Sequence, residues 1–182
     1  MGDFWAFLLL RLSKQSHNSF IGSQMNWKTW IQEVPDFPKS GVSFKDISPL
    51  LRSGHFPLAV REMRDLVEPP DYWVGIDSRG FIFASAFASQ GGGLILCRKK
   101  GKLPPPVVRE DYALEYGSDT LEIQPGSGKV VIVDDVYATG GTMKAVERLC
   151  IQAGYHVIDR VVLIDLKFLH APIAVKSLIQ YE

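Results

Sequence analysis

Four consecutive apolar residues, Val130-Val131-Ile132-Val133, run into paired carboxylates at Asp134-Asp135 and then through Val136-Tyr137 into Ala138-Thr139-Gly140-Gly141-Thr142. The apolar run reads as a buried strand, and the Thr-Gly-Gly-Thr turn as the opening of a helix. A helix N-terminus offers N–H groups without intrahelical partners at the positive end of its dipole. Gly140 and Gly141 allow close backbone approach to an anion, and Thr139 and Thr142 add hydroxyl donors. The pattern predicts a monophosphate site, with Asp134 and Asp135 one step away to accept from ligand hydroxyl groups. A bare Gly-Gly turn would read as an ordinary strand-to-helix connection; the aspartates and threonines are what distinguish this one.

A second anion site is suggested by Arg98, Lys99, Lys100 and Lys102, which follow the apolar Leu94–Cys97. Alone, such a run is a solvated surface, but beside a phosphate loop it suits a pyrophosphate. Two other glycine patterns do not carry phosphate chemistry. Gly126-Ser127-Gly128-Lys129 lacks the Ser or Thr that would complete a P-loop and leads into a strand, and Gly91-Gly92-Gly93 reads as a helix end and turn. Cys97 and Cys150 stand outside any CxxC pair and read as core thiols.

The elements that must position these groups follow from apolar patterning. Tyr72–Ile76, Leu94–Cys97, Val130–Val133 and Arg160–Leu166 are of strand length, and 81–90 and 142–153 have helical character. Apolar strands alternating with helices predict an α/β fold, a mostly parallel sheet flanked by helices. A helix is expected over 25–34, and another over 56–68 before Pro69-Pro70. Residues 101–116 contain three consecutive prolines and no evident element, which reads as a lid over a water-sensitive substrate.

With these residues in view, Asp134–Thr142 resembles the signature of the type I phosphoribosyltransferases, which bind phosphoribosyl pyrophosphate (PRPP). The likeness extends to adenine phosphoribosyltransferases through 35–51 (PDFPKSGVSFKDISPLL), Gly75–Phe81, Arg98–Pro104, Tyr112–Gly117 and Ser177–Glu182, in order. It covers the chain from about residue 27 onward, and implies the type I fold with a small N-terminal hood over about 25–51. It also implies transfer of the phosphoribosyl group of PRPP to N9 of adenine, giving AMP and pyrophosphate in purine salvage. Carried over by position, the resemblance gives Ala138, Thr139, Gly140, Gly141 and Thr142 to the 5′-phosphate, and Asp134 and Asp135 to the ribose hydroxyls. Ser78, Arg79, Arg98, Lys99 and Lys102 fall to pyrophosphate, with a cis peptide at Asp77–Ser78. Ser43, Phe44, Lys45, Val136 and Leu166 fall to adenine: Phe44 stacks, backbone groups of Ser43 and Lys45 read the base edge, and Val136 and Leu166 pack on the other face. Glu115 becomes the catalytic carboxylate that handles the ring protons, with Tyr116 beside it. Mg²⁺ is implied as cofactor, with no protein ligand assigned, and a homodimer as the assembly. Tyr137 stands where the family usually has an aliphatic residue; the 124–129 connection is shorter than usual, and 105–110 differ from the common pattern.

Composition sets the remaining limits. The 182 residues are 46% hydrophobic and 22% charged, with 20 basic and 20 acidic side chains. This describes one folded domain rather than a disordered chain, and the zero net charge supplies no global attraction to nucleic acid. The apolar stretch Phe4–Leu10 is too short to cross a membrane and lacks the flanks of a signal peptide, so a cytoplasmic protein is expected, with 1–24 an extension and folding from near Met25 over 25–182. Two rivals stand beside the adenine reading: a 6-oxopurine or xanthine phosphoribosyltransferase, opposed by Leu114-Glu115-Tyr116-Gly117 and Asp46-Ile47-Ser48-Pro49, and a PRPP-sensing regulator, opposed by the neutral charge.

Overall fold

A computed structural model of the chain describes residues 25–114, 117–172 and 174–182. Strands β1 (Gln32–Val34) and β2 (Phe44–Asp46) form a small antiparallel pair. Short helix α1 (Ser48–Arg52) and helix α2 (Phe56–Arg64) follow, then β3 (Tyr72–Ile76), α3 (Gly80–Ala88) and β4 (Gly93–Lys99). The chain continues with β5 (Val108–Leu114), β6 (Gly117–Ile123), β7 (Gly128–Tyr137), α4 (Gly141–Gln152), β8 (Tyr155–Leu166) and β9 (Lys176–Tyr181). The seven-stranded sheet has the order β5-β6-β4-β3-β7-β8-β9. Pairing is parallel from β4 through β3, β7 and β8 to β9, and antiparallel where β6 joins β4 and β5.

Strand alternation divides the interior between the two sheet faces. Val131 and Val133 of β7 face the layer holding Trp73, Phe83, Phe87, Met63 and Leu163, whereas Val130 and Ile132 face Met143, Val146 and Leu149 of α4. All of these side chains are buried, as expected for strands covered on both faces. Cys97 and Cys150 lie in this interior as free thiols, and burial raises both, Cys150 to about 12. No helix among the described residues is long and apolar enough to cross a membrane.

Three sequence expectations are corrected. Residues 25–34 form a 3-10 turn at Trp27–Trp30 and then β1, not one helix. The Asn26 side chain accepts from the Lys28 amide to start that turn, and Trp27 and Ile31 anchor in the interior. Pairing of 32–34 with 44–46 then takes the backbone groups a helix would have used. The second helix stops at Arg64, several residues before the prolines. Most consequentially, the segment expected to form an irregular lid is not irregular throughout: residues 108–114 pair in register with 117–123. The ladder is fixed at its base by Glu122, fully buried, which accepts from the Lys102 and Leu103 amides and the Arg109 guanidinium. At its side, Glu110 accepts from Arg148 and Gln152 of α4 at 2.6 and 2.9 Å.

Candidate active site

Parallel strands carry their loops at the carboxyl ends, where ligands of open α/β sheets collect. Among the loops at those ends are 77–79 after β3, 138–140 after β7 and 167–170 after β8. Between them and the β1/β2 hood lies a cavity of about 770 Å³. Ser43, Phe44 and Lys45 line its hood side, Val136 and Leu166 its floor, and Ala138, Thr139, Gly141 and Thr142 its far end. Arg79 is the residue of the 77–79 loop that reaches it.

The turn from β7 into α4 is built by one conformational demand. Gly140 has φ +82°, the left-handed region that glycine enters without cost, and thereby turns β7 into α4. A Cβ there would also land on the Tyr137 hydroxyl and lie 2.5 Å from its Cζ. No side chain caps α4, so its first-turn N–H groups stay available to a ligand. A concavity of about 90 Å³ at this end is lined by Asp134 and residues 136–143, which brings the predicted monophosphate residues to one place.

The acidic pair sits between this loop and Arg79. Asp134 Oδ1 accepts from the Asp135 amide at 2.9 Å, and Gly80 is packed so closely that a Cβ would lie 2.6 Å from the Val133 carbonyl and 3.1 Å from Asp134 Oδ1. Burial, reinforced by the Asp135 carboxylate, raises the Asp134 carboxyl above its ordinary range. Arg79 Nε stands 2.8 Å from Asp135 Oδ2, but the approach is not that of a hydrogen bond, and this buried oxygen has no hydrogen-bond donor. The same guanidinium lies 5.0 Å above the Phe44 ring, and Phe37 meets that ring edge-on at 5.1 Å. Arg79 therefore links the acidic pair to the aromatic wall of the hood.

Lys45 is buried, with Nζ 2.8 Å from Glu33, 3.3 Å from Ser43 Oγ and 4.4 Å from the centre of the Tyr181 ring. These contacts tie β2 to the last strand. The Asp77–Ser78 peptide is cis. Of the remaining predicted anion ligands, Arg98 is 3.3 Å from Asp77 and donates to the Lys102 carbonyl, while Lys99 is 3.0 Å from Asp119. Ser78, Arg98, Lys99 and Lys102 do not line the main cavity, although Arg98 shares the 77–79 loop through Asp77. Glu115 and Tyr116 lie outside the described residues.

Sequence reading missed four cavity residues: Gly41, Val42, Phe168 and Leu169. The signal for the last two was there, since Phe168 and Leu169 are large apolar residues just past a buried strand; their side chains are exposed.

Comparison with known proteins gives the family. The phosphoribosyl transferase domain matches residues 58–167. The adenine phosphoribosyltransferase of Hydrogenovibrio crunogenus is 47% identical over 164 residues, 84% of this chain and 95% of that protein. The crystal structure of adenine phosphoribosyltransferase from Thermoanaerobacter pseudethanolicus superposes with a TM-score of 0.79 at 38% identity, covering 85% of this chain and 97% of that one. The Saccharomyces cerevisiae enzyme, solved with adenine and an imino-altritol bisphosphate, gives 0.68 at 35% identity over 78% and 88% of the two chains. A helix start without a side-chain cap, a pair of adjacent carboxylates and an aromatic hood thus accompany close sequence likeness over most of the chain, which belongs to the adenine phosphoribosyltransferase family, with the type I phosphoribosyltransferase fold.

Proposed function

We propose that this chain transfers the phosphoribosyl group of PRPP to N9 of adenine, releasing pyrophosphate and forming AMP. The observation that carries the reading is the cavity joining Phe44 to the α4 N-terminus past Arg79 and Val136, with Asp134 lining the small concavity that shares Val136, Ala138, Thr139, Gly141 and Thr142 with it. The N–H groups around 138–142 and the Thr139 and Thr142 hydroxyls hold the 5′-phosphate. Asp134 and Asp135 accept from the ribose hydroxyls and face the positive charge that grows on the sugar as pyrophosphate leaves. Arg79, Arg98, Lys99 and Lys102 neutralise the leaving group and Ser78 donates a hydrogen bond to it; binding would draw Arg79 and Arg98 from their carboxylate partners.

Phe44 stacks on one face of the base and Val136 with Leu166 packs on the other. Backbone groups at Ser43 and Lys45 select adenine, because a carbonyl facing N6 accepts from an amino group and repels a 6-oxo group. Glu115 handles the ring protons during attack by N9.

Mg²⁺ suits the donor set: Asp135 Oδ2 accepts no hydrogen bond, the Arg79 guanidinium paired with it would move to the pyrophosphate, and this hard cation binds through one or two carboxylates plus phosphates, keeping its waters. No group of three ligand side chains gathers among the described residues, so the ion would depend on PRPP for much of its coordination. When bound it would offset the negative charge of the pyrophosphate. The family resemblance further supports a homodimer acting in the cytoplasm.

The test is AMP formation from PRPP and Mg²⁺ with adenine, hypoxanthine and guanine supplied separately, for the intact protein and Glu115→Ala. Turnover of adenine alone, lost by orders of magnitude in the variant with PRPP binding retained, supports the reading. Preferential turnover of a 6-oxopurine overturns the hood assignment, and binding of PRPP without turnover of any base overturns the reaction.

A further inference from the structure

Behind the phosphate loop lies a group of side chains that the reaction does not use directly. Tyr137, the last residue of β7, is 2% exposed, and its hydroxyl occupies the space a side chain on Gly140 would need. The His170 ring meets the Tyr137 ring edge-on, with centroids 4.7 Å apart at 81°. Nε2 of His170 is 2.8 Å from Oδ1 of Asp165, and Nδ1 is 2.8 Å from the Ala171 carbonyl. The two side chains are only 8% and 5% exposed.

This geometry specifies a protonation state. A carbonyl oxygen only accepts, so Nδ1 must carry a hydrogen. A neutral imidazole has one N–H, and with it committed to Ala171, Nε2 would meet the Asp165 carboxylate lone pair to lone pair. Both contacts are satisfied by an imidazolium beside a carboxylate. The bond to Ala171, together with the Asp165 contact, outweighs burial and raises the His170 pKa above its ordinary 6.5. The charged and titratable groups facing the ring are Asp165 from β8, Tyr137 from β7 and Lys144 from α4, the last opposing the positive charge. Arg160 and Glu147 lie farther out, acting on the Tyr137 phenol.

The pair sits at a junction. Asp165 and His170 bracket the 3-10 turn Lys167–Leu169, whose Phe168 and Leu169 line the cavity on the base side. Through Tyr137 the same ring backs Gly140 at the phosphate end. We propose that protonated His170, held by Asp165, is a positioning residue that fixes the base-side turn and the phosphate loop relative to each other, and that substrate binding weakens when His170 loses its proton. The functional part of this inference rests on the phosphoribosyl-transfer reading; the structural part does not. Below the ordinary histidine value the staple is complete, and it is lost as pH rises through the raised value.

The decisive experiment is an NMR titration of the unliganded wild-type protein from mildly acid to mildly alkaline pH, following the His170 ring and backbone amides of 138–142 and 167–169. The inference requires both amide groups to shift with the midpoint of His170, above that of an ordinary histidine. Amides that ignore His170, or a His170 with an ordinary or lowered midpoint, overturn it whether or not the protein turns over any base. Kinetics supply the functional half. The wild-type KM for PRPP should rise about tenfold or more across the His170 midpoint, the scale of losing a charged hydrogen bond, with kcat changing far less. His170→Gln should show the high KM at every pH, without the inflection. A wild-type profile that retains its inflection in His170→Gln refutes the assignment to this residue.

Discussion

Replacing Gly140 by alanine separates two costs that the structure assigns to one position. Gly140 and Gly101 have almost the same left-handed backbone, φ +82° and +79°, but opposite surroundings. A Cβ at 140 would strike the Tyr137 phenol, with Cζ at 2.5 Å, whereas a Cβ at 101 meets nothing within 4 Å. Gly101→Ala therefore incurs the conformational penalty alone, about 1–2 kcal/mol. Gly140→Ala adds the cost of forcing a methyl group into packed surroundings, about 1–3 kcal/mol, for a total of about 2–5 kcal/mol. At about 2–4 °C per kcal/mol for a chain of this size, thermal unfolding of both variants against wild type gives the difference. To the extent that the loop yields instead, the cost moves to ligand binding, where each 1.4 kcal/mol weakens AMP about tenfold by calorimetry. The expected pattern is a mild loss of stability for Gly101→Ala and a larger loss of stability, AMP affinity or both for Gly140→Ala. Equal effects on unfolding with unchanged AMP affinity would refute the packing of Tyr137 beneath the loop.

Two further outcomes follow from the hood and the hairpin base. Phe44→Ala removes the aromatic wall and should raise the KM for adenine by the worth of one stacked base, about 1–3 kcal/mol, while the KM for PRPP changes much less; an equal rise in both would contradict base stacking there. Around Glu122, burial alone would raise the carboxyl, but donors from Leu103, Gly101, Lys102 and Arg109 outweigh it and hold the group below its ordinary 4.5. Stabilisation from a depressed carboxyl is present above that value and lost as pH falls through the folded-state value. Glu122→Gln should cost about 1–3 kcal/mol near neutrality and flatten the acid side of the stability profile; an acid limb as steep as wild type would count against this role.

The sheet interior was legible because its strands are buried on both faces and therefore written as continuous apolar runs. The apolar run Tyr72–Ile76 coincides with β3, and the helical pattern over 142–153 matches α4 to within a residue at each end. The β5/β6 ladder was not legible for the converse reason. Val108–Leu114 reads Val-Arg-Glu-Asp-Tyr-Ala-Leu, with three successive charged residues and a proline run before it, and its backbone pairing is supported by Glu122 and α4 from outside the segment. The hood start was misread because Trp27 and Ile31 have helical spacing, yet the ladder with 44–46 decides the structure of 32–34. The residues of the glycine turn, which the structure gathers around one concavity, stand out from local chemistry alone. The link from Arg79 to both Asp135 and Phe44, and the prop of Tyr137 and His170, join residues distant in sequence, and no local pattern encodes them.

A crystal structure of this protein with AMP bound tests the central claim most directly. The account predicts the 5′-phosphate on the backbone N–H groups around Ala138–Thr142, the ribose hydroxyls at Asp134 and Asp135, and the purine between Phe44 and Leu166 with N6 toward the hood backbone. AMP bound away from this cavity, or seated with its purine at the α4 N-terminus and its phosphate in the hood, would contradict it.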